Sequence, residues 1–185
     1  MAKLGIGLLV IPQKPWEHVE CEMAAYRDIY LEVNGVDAPA PILAGWTYCH
    51  ESADKAEEMA EKYIGNYYRS VIDHYEMAGE HLKKTKGYEA YASMQDHVAA
   101  DIEGAIKFFM SLQVWGTPEK CLNTLHDFIG RTGAGAFNGV FSYGGMSHSE
   151  AEQSMRLFAK EVMPELQKLP GEPLLGRIAP TAIAS

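Results

Sequence analysis

The last third of the chain most constrains the fold. Gly116-Thr-Pro-Glu-Lys-Cys-Leu122 opens a helix, Gly130 to Gly135 turns the chain, and Ala136 to Phe141 is a short apolar run. Phe141-Ser-Tyr-Gly-Gly-Met-Ser-His-Ser-Glu150 then leads into a second helix. Thr117 is an N-cap with Pro118 at the first helical position. Ser147 and Glu150 have the Ser-x-x-Glu spacing of a capping box. Helix, glycine turn, buried strand and capped helix together make a βα unit with its strand-exit loop attached. Such units pair their strands in parallel through right-handed crossovers.

The same alternation runs upstream. Leu4 to Ile11 is an apolar run closed by Pro12, the pattern of a strand buried on both faces. Pro12-Gln-Lys-Pro15 reads as a loop. Trp16 to Val33 reads as a helix with Val19, Met23, Tyr26, Ile29, Tyr30 and Val33 on one side, ended by Asn34-Gly35. Ile42 to Cys49 is the second strand. Ser52 caps a long helix from Ala53 to about Ala78, and Asp96 to Leu112 is helical again. Three parallel strands make a poor sheet alone, and a closed (β/α)8 barrel takes about 250 residues. In 185 residues the pattern predicts the last part of such a barrel. Residues 1–169 form one partial barrel domain with an insertion at about 79–115, and 170–185 are a flexible Gly/Pro/Ala tail.

Composition narrows the partners. The net charge is −9 without a basic cluster, which argues against nucleic acid and anionic membranes. No apolar run approaches the roughly 18 residues of a membrane helix. Cys21, Cys49 and Cys121 are widely spaced with no CxxC, as expected of free thiols in a cytoplasmic protein.

Three segments carry a family resemblance. They are Leu8-Leu-Val-Ile-Pro-Gln-Lys-Pro15, Gly116-Thr-Pro-Glu119, and Ser142-Tyr-Gly-Gly-Met-Ser-His148 with Ser154-Met-Arg-Leu-Phe-Ala-Lys-Glu-Val-Met-Pro164. In order and spacing they resemble the C-terminal half of bacterial-luciferase-like flavin-dependent monooxygenases. The resemblance implies a (β/α)8 barrel with reduced FMN, supplied by a flavin reductase, at the C-terminal mouth of the strands. It further implies O2 as co-substrate and a small apolar organic molecule as the substrate oxygenated. On this likeness Leu4–Ile11 corresponds to the sixth strand, Ile42–Cys49 to the seventh and Ala136–Phe141 to the eighth. Strands one to five have no counterpart, so a homo-oligomer or a missing N-terminal half is expected to complete the barrel.

Several positions are candidates for the site. Gly144-Gly145 sits at a strand exit before a capped helix, where bare backbone can approach a ring or an anion; a tight turn is the plainer reading. Gln13 follows a strand's C-terminal end and can hydrogen-bond a flavin edge or substrate, with Lys14 beside it. Trp46 and Tyr48 share one parity with His50 along the second strand, so all three face one side. With Ser142 and Tyr143, these residues would form one wall of the FMN site. Tyr67, Tyr68, Asp73, His74 and Tyr75 gather late in the long helix, as around a cavity for an apolar substrate. His74 is the one candidate base, with no evident partner. Gly130, Gly133 and Gly135 follow a helix and precede a strand, the wrong order for a dinucleotide fingerprint. His97 and Asp101 lie one turn apart, but no third residue has metal-ligand spacing, so no metal is expected. The alternative function is a non-catalytic half-barrel that binds flavin or an apolar ligand, or serves structurally, and self-associates.

Overall fold

The computed structural model describes residues 1–77, 86, 96 and 98–169. Its centre is strand β2, Ile42–Cys49, an apolar run buried at seven of its eight positions. Two further strands lie parallel to it. Leu9 and Val10 of β1 (Leu9–Val10) pair with Ile42 and Leu43. Strand β4 (Ala136–Val140) pairs with Ile42 through Trp46. Both contact Ile42 and Leu43, so β1 and β4 flank β2 on opposite edges. Strand β3 (Val114–Gly116) joins in parallel at Thr47–Cys49, near the C-terminal end of β2.

Alternation along the strands separates two cores. Leu43 and Cys49 point to one face, with Leu8 and Val10 of β1 and Phe137 of β4. Three helices cover it: α1 (Trp16–Asn34), α5 (Pro118–Thr132) and α6 (His148–Glu161). They contribute Trp16, Val19, Met23, Cys121, Leu125, Phe128 and Phe158. Each helix buries its stripe because the apolar residues recur every three or four positions. Trp46 and Tyr48 point to the other face. There they meet α2 (Ala53–Ala60), a π-helical turn (Glu61–Gly65), α3 (Asn66–His74) and α4 (Ile102–Ser111). A short α7 (Met163–Leu166) follows α6. No helix among the described residues is long and apolar enough to cross a membrane.

Several expectations need correction. The first strand is not Leu4–Ile11. Ala2–Leu4 form a 3₁₀ turn, and only Leu9–Val10 are extended in the ladder. Nor is that strand buried on both faces, since Leu9 is 55% exposed and Ile11 42%. Among the described residues, one edge and one face of β1 lack the neighbours that a parallel strand needs. The long helix is interrupted by the π turn and ends at His74 rather than near Ala78. Helix α4 starts at Ile102 because the Asp101 carboxylate caps it, accepting the Gly104 N–H at 2.8 Å. Residues 98–100 form a separate helical stretch before that cap. Gly130 belongs to α5, which runs on to the Gly133 cap, and β4 stops at Val140. The tail from Pro170 and most of 79–95 lie outside the described residues.

Candidate functional site

In a parallel sheet all C-terminal strand ends open at one side, and ligands gather there. Three loops leave strands on that side: Ile11–Lys14 after β1, His50–Ser52 after β2, and Phe141–Ser147 after β4. The Trp46 ring lies 4.4 Å from that of Tyr67 and 5.3 Å from Phe109. Tyr68 stacks on Phe109 at 4.2 Å. The Tyr48 ring lies parallel to His50 at 6.5 Å. The expected shared parity of Trp46, Tyr48 and His50 is thus what the strand presents. Burial raises the Tyr48 phenol above its usual pKa, and the nearby Glu150 carboxylate adds to the rise.

Tyr143 joins this aromatic layer from the β4 exit, donating its hydroxyl to the Thr47 carbonyl at 3.0 Å. Burial pushes its pKa strongly upward, so the phenol stays protonated. Gly144 and Gly145 follow with φ of 59° and 79°. A side chain at Gly144 would overlap the Tyr63 carbonyl oxygen, whereas nothing lies within 4 Å of the equivalent position at Gly145. The bare backbone at Gly144 therefore serves a close approach within the chain, and Gly145 faces open space. Ser147 accepts the Glu150 N–H at 3.3 Å, as an N-cap should. The Ser147 backbone N–H in turn helps to hold the Glu150 carboxylate, the reciprocal half of the expected capping box. The Glu150 carboxylate also accepts the Tyr63 hydroxyl at 2.5 Å and the Ser147 hydroxyl at 2.9 Å. These bonds hold its pKa below the ordinary carboxylate range, the Tyr63 bond most strongly.

Gln13 and Ser142 are exposed at the exits of β1 and β4. Lys14 pairs with Glu22 on α1 at 2.5 Å. The loop beneath Gln13 is tied down by buried Gln113, a residue with no sequence signal. Its Oε1 accepts the Trp46 N–H at 3.1 Å, and its Nε2 donates to the carbonyls of Phe109 at 3.2 Å and Pro12 at 3.4 Å. The late-helix group divides: Tyr67 and Tyr68 pack inward, while Asp73, His74 and Tyr75 are exposed. His74 meets Tyr75 edge-on at 5.4 Å and does not join the aromatic layer. Cys49 and Cys121 are buried free thiols, and Cys21 is exposed. Among the described residues no three His, Cys, Asp or Glu side chains could share a metal ion, and His97 lies outside them. The structure thus brings together Trp46, Tyr48 and Tyr143, holds Gly144 beside them, and leaves Gln13, Ser142 and Gly145 open around them.

A parallel α/β sheet with exit loops at one end and an aromatic layer on one face defines a fold of the βα-unit class. Within that class, the chain belongs to the luciferase-like monooxygenase family, whose model matches residues 1–135. It is 24% identical over 175 residues to the alkanal monooxygenase alpha chain of Photobacterium leiognathi, spanning 90% of this chain and 48% of that one. Its fold is similar to that of the monooxygenase RslO1 from Streptomyces bottropensis, with a TM-score of 0.60 and 19% identity over 89% of this chain and 43% of that one. It is also similar to the oxygenating constituent of 3,6-diketocamphane monooxygenase from Pseudomonas putida, solved with FMN. There the TM-score is 0.61 and the identity 15%, over 92% of this chain and 45% of the other. The chain spans about half the length of these relatives. The donor set fits a flavin in part. Exposed Gln13, Ser142 and Gly145 can meet a ring edge or phosphate, but Tyr67 and Phe109 of the chain itself already cover the Trp46 ring.

Proposed function

We propose that this chain forms one wall of the FMN site in a luciferase-like monooxygenase, as the C-terminal part of a (β/α)8 barrel. What supports this reading is that the Gln13 and Ser142–Gly145 loops follow the C-terminal ends of β1 and β4, the two strands that pair in parallel with β2 on its opposite edges. Reduced FMN, delivered by a flavin reductase, would activate O2 for insertion into a small apolar substrate. Gln13 offers an amide to hydrogen-bond the ring edge. Ser142 offers a hydroxyl, and Gly145 lets the ligand reach the backbone. Trp46, Tyr48 and Tyr143 supply an apolar floor whose phenols stay protonated. The helices from α2 to α4 leave the end of β2 and return to it through β3, so they act as a lid that keeps water from that floor. Titrating the chain with FMN, followed by flavin fluorescence, tests the reading, together with NAD(P)H-driven O2 uptake in the presence of a reductase. Quenching with saturable binding is expected; no binding would remove FMN from this chain's role.

One observation favours a second reading, a half-barrel that self-associates. Leu4, Ile6, Leu9 and Ile11 are all exposed large apolar side chains along one segment.

A further inference from the structure

One residue holds the β4 exit loop at both ends. Tyr63 sits in the π turn Glu61–Gly65, where the extra residue per turn shifts the backbone from the regular α path. Its carbonyl oxygen lies against Gly144, so closely that no side chain fits there. Its hydroxyl donates to the Glu150 carboxylate at the start of α6. Between these contacts lie Gly145, Met146 and the Ser147 cap. Met146 packs on the aromatic core, and its N–H bonds the Tyr143 carbonyl at 3.0 Å. The Tyr63 ring is itself buried in that core, so both contacts start from a fixed point.

We infer that Tyr63 is a positioning residue: it clamps the Ser142–Ser147 loop at Gly144 and Glu150, so that Ser142 and Gly145 face outward in a fixed geometry for the ligand. The inference rests on the flavin reading above and deepens it. Between the anchored Tyr143 and Met146, two adjacent left-handed glycines would otherwise let the backbone sample many conformations. A ligand that meets it would then have to order it first, and apparent affinity falls by the fraction of time the loop is out of place. Ser147 also holds the Glu150 carboxylate, but it joins the loop's end only to its own helix, whereas Tyr63 joins that helix start to the buried core.

The test compares wild type with Tyr63→Phe, Glu150→Ala, and Tyr26→Phe as a control. Tyr26 also donates its hydroxyl to a backbone carbonyl, that of Ile6, but far from this loop. In hydrogen–deuterium exchange on the whole chain, Tyr63→Phe should speed amides 143–150 by about tenfold, the loss of one hydrogen bond to a charged group. Amides of β2 and α5 should be unchanged. Glu150→Ala should do the same, with the double variant no faster than either single one. Tyr26→Phe should leave the loop untouched. In FMN titration, Tyr63→Phe should raise Kd about tenfold, in step with the exchange. Loop exchange equal to wild type in Tyr63→Phe and Glu150→Ala overturns the clamp. So does faster exchange spread evenly over the chain, which would mark a global loss of stability. Faster loop exchange with unchanged FMN affinity overturns the positioning role. If wild type binds no FMN, the flavin reading and the positioning role for that ligand fail together, and the exchange data still decide the clamp.

Discussion

Gly144 and Gly145 are neighbours with similar backbone angles and different reasons for lacking a side chain. At Gly145 only the left-handed conformation opposes an alanine, a cost of about 1–2 kcal/mol. At Gly144 the Tyr63 carbonyl opposes it as well, and backbone cannot swing aside as a side chain can. Gly144→Ala should therefore lose about 2–5 kcal/mol, well beyond Gly145→Ala, in urea unfolding. Gln113 shows the same dependence on surroundings. Gln113→Leu keeps the volume but strands the Trp46 N–H and the Pro12 carbonyl in the interior, while the Phe109 carbonyl keeps the Leu112 N–H at 3.1 Å. A loss of about 1–3 kcal/mol follows, read by the same unfolding curves. Glu150 gives a pH dependence. Its folded pKa is depressed by the Tyr63 and Ser147 hydroxyls, so the stability it adds is complete above the unfolded carboxylate pKa. That stability is lost as pH falls through the lower, folded value. Melting temperature should thus fall between about pH 5 and pH 3 more steeply in wild type than in Glu150→Gln, which cannot ionise.

At the scale of elements, the chain is legible where local signals and burial agree. β2 runs over Ile42–Cys49, as its unbroken apolar run predicts, because a strand buried on both faces has no polar positions to blur its ends. α1, α5 and α6 start and stop close to their caps. Thr117 illustrates how local that information is. Its hydroxyl accepts the Lys120 N–H at 3.3 Å, and Thr117→Ala should cost about 1 kcal/mol in thermal unfolding. The elements that were not legible are those set by distant partners. β3 is three residues, too short for a period, and exists because β2 extends past β4 and offers Thr47–Cys49 for pairing. The π turn has no signature of its own; it follows from seating Tyr63, Ile64 and Gly65 in the core together. The shortening of β1 is likewise tertiary: an apolar run becomes a strand only as far as a neighbour pairs with it. The site divides in the same way. Alternation along β2 gave the shared face of Trp46 and Tyr48. The links from Tyr63 to Glu150 and from Gln113 to Trp46 join residues 87 and 67 positions apart, beyond any local pattern.

The whole molecule is lopsided, and the imbalance centres on β1. Val10 and the preceding Leu8 pack against the α1 side of the sheet, while Leu9 and Ile11 are exposed. Leu4 is 74% exposed just before it, and the strand borders an open groove of about 410 Å³ shared with Met1, Met23 and Tyr26. Parallel strands are ordinarily covered on both faces, and an uncovered apolar edge is a template for another chain. Such a surface costs free energy in water, at about 25 cal/mol per Å² of apolar area that association would bury. The chain should accordingly associate through β1. Light scattering across a dilution series should show a mass above the 20.5 kDa of one chain, falling toward it on dilution. Leu9→Lys with Ile11→Lys should hold the chain monomeric at every concentration. These substitutions should leave the melting point of the monomer near wild type, because both side chains already stand in water and their loss removes little packing. A wild type that stays monomeric throughout would exclude self-association as the means of covering this face. The surface would then point to a partner carrying complementary βα units. The FMN titration separates these outcomes further: if two copies complete the mouth, flavin affinity should rise with protein concentration and disappear in the double-lysine variant, whereas a site formed by one chain should keep its affinity in both.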